Sequence, residues 1–200
     1  MVASTEIRWF FTGRLPSAME KWFQSMEAAS ESTRTDYYLR YADNTSLGVK
    51  LREGQMQLKY KTDDIGPRKI DKAEGIVEAY EKWSFPADEQ PEWELMMKDP
   101  KRWIAIDKTR MMLKFEYTHG EISRVSQDKM IASGCGVELS SILIGHNTPY
   151  WSLAFEAFGA GAGGSLQATL DAVLGSGKCP EELSSENSFG YAQLITDIKL

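Results

Sequence analysis

Charged and apolar residues alternate at every second position in several runs of this chain, and that pattern restricts its fold more than any other feature. The clearest runs are Val49-Lys50-Leu51-Arg52, Met56-Gln57-Leu58-Lys59-Tyr60-Lys61 and Ile104-Ala105-Ile106-Asp107-Lys108-Thr109-Arg110. A period of two places Lys50 with Arg52, Lys59 with Lys61 and Lys108 with Arg110 on one face of a strand, whereas a helix would scatter them. If these strands are neighbours with their charged faces together, six like charges meet in one place. They repel one another unless an anion with several negative oxygens sits among them. The competing reading is the solvated outer face of an ordinary antiparallel sheet, which also alternates cations with hydrocarbon.

Strand signals recur on either side of these runs. Glu6-Ile7-Arg8-Trp9-Phe10-Phe11 ends at Gly13, Asp36 to Tyr41 is rich in aromatics, and the turns at Asp43-Asn44 and Glu53-Gly54 make a meander of the next three runs. Later come Trp103 to Arg110, Met111 to Tyr117, a His119-Gly120 turn, Glu121 to Ser126, Val137 to Ser140 and Trp151 to Phe158. Helices are expected over Pro16–Met26, with Met19, Trp22, Phe23 and Met26 as the buried stripe, and around Ala73–Trp83, where Ile76, Val77 and Tyr80 share a side. With about eight strands in sequential hairpins and few helices, the expected class is mainly β (α+β): an eight-stranded antiparallel, tunnel-like barrel with flanking helices.

Two hundred residues, 42% hydrophobic and 26% charged, suit a single domain over 1–200 with one full core. The formal net charge of −6 argues against general attraction to nucleic acid or to an anionic membrane, so any anion site must come from local crowding of cations. No apolar run approaches the ~20 residues of a membrane span, and the first residues do not read as a signal peptide, so the expected compartment is the cytoplasm. Cys135 and Cys179 lack metal-ligand spacing and read as free thiols, while His119 and His146 read as ordinary loop histidines without a partner. The stretch Gly159 to Ser165 lacks the Gly-Lys-Ser/Thr ending of a phosphate-binding loop and reads as a flexible loop, with Ser165 capping a helix over Leu166–Leu174. The acidic region Glu81–Asp99, punctuated by Pro86, Pro91 and Pro100, reads as a connector that serves as a lid or a partner surface.

Set in order, these segments resemble the CYTH, or triphosphate tunnel metalloenzyme, superfamily. Its members open with a Glu-x-Glu-x-Lys strand, continue through a Tyr-rich strand, a basic hairpin and a Lys-x-Arg strand, and close with a glutamate-bearing strand. The counterparts are Glu6-Ile7-Arg8-Trp9-Phe10, Asp36-Tyr37-Tyr38-Leu39, Val49 to Arg52 with Leu58 to Lys61, Lys108-Thr109-Arg110, and Phe155-Glu156-Ala157-Phe158, covering residue 6 to about 160. The resemblance implies an eight-stranded tunnel into which Lys50, Arg52, Lys59, Lys61, Lys108 and Arg110 point. It also implies that Glu6, Glu138 and Glu156 hold Mg or Mn. The chain departs from the pattern at Arg8, where a second glutamate is expected, at Phe10, where a lysine is expected, and at Ala154, where the closing motif has its first glutamate.

A guanidinium in place of a carboxylate changes the local charge by two units against a divalent cation, so metal-dependent triphosphate hydrolysis is expected to be weak or absent. Arg8 can instead offer bidentate contacts to phosphate, and Phe10 on the same face suggests room for a ring or apolar portion of a ligand. The leading expectation is a basic tunnel that binds a small polyanion, a phosphorylated or polyphosphate compound. The alternative is a non-catalytic barrel for an apolar or amphipathic ligand, or an interaction module, with a cavity lined by Met111, Met112, Phe115 and Trp residues.

Overall fold

A computed structural model describes residues 1–41, 43–87, 99, 101–175 and 179–198. Ten strands form one sheet: β1 (Val2–Thr12), β2 (Ala29–Ser30), β3 (Arg34–Leu39), β4 (Leu47–Arg52), β5 (Gln55–Ile70), β6 (Ala73–Pro86), β7 (Trp103–Thr118), β8 (Glu121–Val125), β9 (Gly134–Ile144) and β10 (Thr148–Phe158). Their order is β2-β7-β3-β4-β5-β6-β1-β10-β9, and β9 pairs back to β7 over Ile106–Glu116. That last pairing closes eight strands into an antiparallel barrel, with β2 and β8 attached to β7 outside the ring. Closure leaves no open edge in the ring itself. Among the described residues, three α-helices accompany the barrel: α1 (Ser17–Gln24), α2 (Ala162–Leu174) and α3 (Tyr191–Asp197). None of the described helices is long and apolar enough to cross a membrane.

Much of the hydrophobic core lies outside the ring. Odd-numbered residues of the strands, among them Ile7, Trp9, Val77, Leu113, Val137, Leu139, Leu153 and Phe155, pack with Met19 and Phe23 of α1 and Leu166, Leu170, Val173 and Leu174 of α2. Even-numbered residues of the same strands face inward. At one end of the barrel these are apolar: Phe10, Ile104, Ile106, Ile142 and Ile144 meet Leu194 and Ile195 of α3 and the following Ile198. Burying each such side chain contributes roughly 1.5–3 kcal/mol. The plug closes this end and leaves the charged positions of the same strands around a cavity above it.

Three local expectations are corrected. Ala73–Trp83 is not a helix but most of β6, which is buried on both sides: Val77 joins the outer core while Glu78 and Tyr80 face the interior. A strand covered on two faces loses its simple alternation, and the spacing of Ile76, Val77 and Tyr80 then mimics a helical stripe. Trp103 to Tyr117 is one continuous strand. Helix α2 begins at Ala162, inside the glycine stretch, after Gly161 in the left-handed region (φ 74). Ser165 is not its cap; it is buried in the first turn, with its own amide donating to the Gly161 carbonyl. The glycines serve close approach, since a Cβ on Gly164 would lie 2.5 Å from the Tyr117 hydroxyl. Most of the acidic connector, 88–98 and 100, lies outside the described residues.

Candidate functional site

The inward faces of β1, β3–β7, β9 and β10 and the start of α3 enclose a cavity of ≈ 140 Å³. Eight cationic and four carboxylate side chains line it. Arg8, Lys50, Arg52, Lys59, Lys108 and Arg110 all stand on this wall, as do Glu6, Glu138 and Glu156. Lys61 is not on the wall; its ammonium lies 2.8 Å from Asp64 and 3.1 Å from Glu78. Strand register explains the convergence. Tyr38 opposes Lys50 and Lys50 opposes Gln57, while Arg34, four residues before Tyr38 on β3, opposes Lys108, so separate rows of inward side chains bring cations from neighbouring strands to the same wall.

The cation-rich half surrounds Asp36, which has no exposed surface. Lys50 Nζ donates to Asp36 Oδ2 at 3.3 Å, Arg34 Nε lies 3.2 Å from Oδ1, and Lys108 Nζ lies 3.8 Å from Oδ2. Burial pushes the Asp36 carboxyl up, but Lys50, Lys108 and Arg34 together hold it below its ordinary value. Burial lowers Lys50 to about 8, with Arg52 adding to the shift against the pull of Asp36. Lys108 is pushed well down by burial and then by Lys50. Its ammonium donates to the Tyr38 hydroxyl at 3.1 Å and stands 3.8 Å from the centre of the Tyr191 ring, which itself stacks on Tyr38. Among the described residues, six buried side-chain polar atoms lack a hydrogen-bond partner. Arg34 Nε, Arg52 Nε, Gln57 Oε1 and the Tyr191 hydroxyl belong to this wall, and Asp36 Oδ1 sits behind it. Arg34 Nε and Asp36 Oδ1 face each other at 3.2 Å as an ion pair without hydrogen-bond alignment.

The other half is organised by glutamates. Glu6 directly opposes Glu78 on β6 and Glu156 on β10, so three carboxylates stand side by side on adjacent strands. At strand spacing and an effective dielectric near 20, each neighbouring pair of ionised carboxylates repels by up to ~3 kcal/mol. Burial and then Glu156 raise the Glu6 carboxyl, in spite of Lys59 beside it. Lys59 bonds to Glu6, lies 3.8 Å from Glu156 and stands 4.8 Å from the centre of the Tyr80 ring. Glu78 accepts from the Tyr80 hydroxyl at 2.6 Å and from Lys61 at 3.1 Å. Glu138 accepts from Arg8 at 3.1 Å, Arg110 at 3.0 Å and Ser140 at 2.8 Å. Burial opposes its ionisation, but Arg8, Lys108 and Arg110 prevail and hold it well below the usual carboxylate range.

This geometry bears on the divalent ion that the family resemblance implies. Both Glu138 oxygens are engaged by guanidinium groups, and Glu6 is engaged by Lys59 and Ser4. Among the described residues, no three His, Cys, Asp or Glu side chains are grouped to hold a metal ion. The donor set as it stands does not fit a divalent cation. Phe10 does not offer a ligand surface either; it is buried in the plug, stacked on Phe189 and edge-on to Tyr191. Met111, Met112, Phe115 and the tryptophans are not on the cavity wall, and Met111 belongs to the outer core.

Several wall residues escaped sequence reading. Glu78 and Tyr80 lay in the segment read as a helix, Arg34 just before the strand read from Asp36, Gln57 in a strand whose lysines drew attention, and Tyr191 beyond the resemblance. His146, expected to be alone, has its Nδ1 2.7 Å from Asp107 Oδ2, and Asp107 Oδ1 accepts from Thr35 at 2.6 Å. Cys135 and Cys179 are free thiols, the former buried and pushed up to about 12 by that burial.

No protein-family model matches the chain, and no curated protein sequence matches it significantly. Solved structures do. A conserved hypothetical protein from Pyrococcus furiosus is similar with a TM-score of 0.50 at 11% identity, covering 96% of this chain and 99% of that one. A Pyrococcus horikoshii protein gives 0.46 at 13% identity, covering 94% and 98%. A candidate adenylate cyclase from Bacillus halodurans gives 0.37 at 13% identity, covering 88% and 93%. The first of these likenesses supports the barrel fold; at such identities none carries a function to this chain.

Proposed function

We propose that this protein is a receptor for a small polyanion, a phosphorylated or polyphosphate compound, held in the barrel by side-chain cations alone. The observation that carries the reading is the convergence of Arg8, Arg34, Lys50, Arg52, Lys108 and Arg110 on one cavity. Burial, and then the neighbouring cations, push Lys50 and Lys108 below the ordinary lysine range, and a bound anion favours their charged forms. The guanidinium groups present planar donors for phosphate oxygens, and the lysines supply compact charge. Glu6, Glu78 and Glu138 accept hydrogen bonds from Lys59, Tyr80 and Arg8, and Glu156 has the Lys59 ammonium 3.8 Å away, so each wall carboxylate has a cation or hydroxyl competing for the lone pairs that a general base would use. Binding without hydrolysis is therefore the reading that the geometry favours.

The test is isothermal titration with tripolyphosphate and pyrophosphate in EDTA, and again with Mg or Mn. Binding is expected in EDTA. Arg52→Ala and Lys108→Met are each expected to weaken it by about tenfold or more, the loss of one hydrogen bond to a charged group. Failure of the wild-type protein to bind either anion under any of these conditions would remove the proposal.

A further inference from the structure

Glu6, Glu78 and Glu156 form a row across β6, β1 and β10, and an ammonium already stands on that row. Lys59 reaches it from β5, bonding to Glu6 and approaching Glu156 to 3.8 Å, with the Tyr80 ring beneath it. The opposing strand cannot supply this charge: Ala154 is the residue two places before Glu156, and Arg8 two places after Glu6 is committed to Glu138. We infer that Lys59 is a built-in counter-cation, a tethered ammonium occupying the place between Glu6 and Glu156 where a divalent ion would otherwise be drawn.

An ammonium suits the position. It is a compact charge with three donors and no fixed plane, so it can serve two carboxylates on adjacent strands. It also carries only one charge for the two carboxylates it serves. Removing the ammonium while keeping the chain length exposes a pair of carboxylate oxygens at strand spacing, with Glu78 on the far side of Glu6. Hard divalent ions bind such oxygen sets. Lys59 thus makes the cavity independent of metal and at the same time masks a latent metal site. The inference deepens the polyanion reading, and its test uses no anion, so the two can fail separately.

The experiment is titration of the protein with Mn2+ alone, following free Mn2+ by its electron paramagnetic resonance signal. Lys59→Met, unbranched and uncharged, is expected to take up one Mn2+ per chain at least about tenfold more tightly than the wild type. Lys59→Arg is expected to behave as the wild type, and adding Glu6→Gln to Lys59→Met is expected to abolish the gain. A Lys59→Met protein with wild-type near-ultraviolet circular dichroism and unchanged Mn2+ affinity would overturn the inference. So would a wild-type protein that binds Mn2+ and loses it on Glu156→Gln, a result readable even if Lys59→Met does not fold.

Discussion

Asp36 sets how much negative charge the cavity can accept. It is fully buried and stands against Arg34, Lys50 and Lys108, so it acts as an internal anion that partly neutralises the cluster before any ligand arrives. Asp36→Asn leaves those cations uncompensated, which in a buried setting costs roughly 3–5 kcal/mol of stability. The same change raises the attraction for a polyanion. The urea midpoint of Asp36→Asn is expected to fall and to recover with tripolyphosphate, while its tripolyphosphate affinity rises; an affinity that falls instead would show that Asp36 only holds the cations in place. The lysines add a pH dependence. An anion favours the protonated form of Lys50, which lies at about 8 in the free protein, so binding takes up protons and weakens as pH rises through that value. Titrations from pH 7 to 9 should show this slope in the wild type and a flatter one in Lys50→Met. In stability the sign is opposite. Between about 8 and the ordinary 10.5 the unfolded chain binds more protons at this lysine than the folded one, so its contribution to stability rises with pH across that window.

Among the elements, β6 shows best what the sequence could and could not disclose. The β4–β5 hairpin and the Lys108-Thr109-Arg110 strand were legible because their charges fall at alternate positions, whereas Glu156 on β10 was reached only through the family resemblance. β6 was hidden because Ile76, Val77 and Tyr80 fall at helical spacing, and Glu78 and Tyr80 were lost with it. The plug was invisible for another reason. Ile104 and Ile106 alternate as in any strand, Ile142 and Ile144 lie beyond the strand read as Val137 to Ser140, and only the docking of α3 shows that together they close one end of the barrel. β6 also contains a packing constraint that can be measured. A Cβ on Gly75 would lie 2.6 Å from the Trp9 ring and 2.8 Å from Ile7, and the indole is pinned by its hydrogen bond to the Glu74 carbonyl at 2.8 Å. Overpacking of this kind costs about 1–3 kcal/mol. Gly75→Ala is expected to lower the urea midpoint accordingly and to alter tryptophan fluorescence, with no change in tripolyphosphate affinity at temperatures where the variant is folded. An unaltered midpoint would mean that β1 and β6 separate more easily than the close contact implies.

At the scale of the whole molecule, the barrel reverses the usual placement of charge: much of the hydrocarbon is packed outside the ring beneath α1 and α2, and a set of cations is enclosed within it. The formal net charge is −6, while cations outnumber carboxylates eight to four on the cavity wall. A polyanion approaching from a distance therefore meets net repulsion, and attraction begins only near the mouth. Salt separates the two ranges, because the Debye length shortens from about 30 Å at 0.01 M to about 8 Å at 0.15 M. The long-range repulsion is screened over that interval, whereas contacts formed inside the cavity are screened much less. The association rate for tripolyphosphate, followed by stopped-flow fluorescence, is thus expected to rise as salt is added from 0.01 to 0.15 M. A protein whose basic surface steers anions inward shows the opposite, a steep fall. A falling rate here would place the productive encounter on an outer basic patch rather than in the enclosed cavity, and the residues to vary would then be surface lysines rather than Arg52 and Lys108.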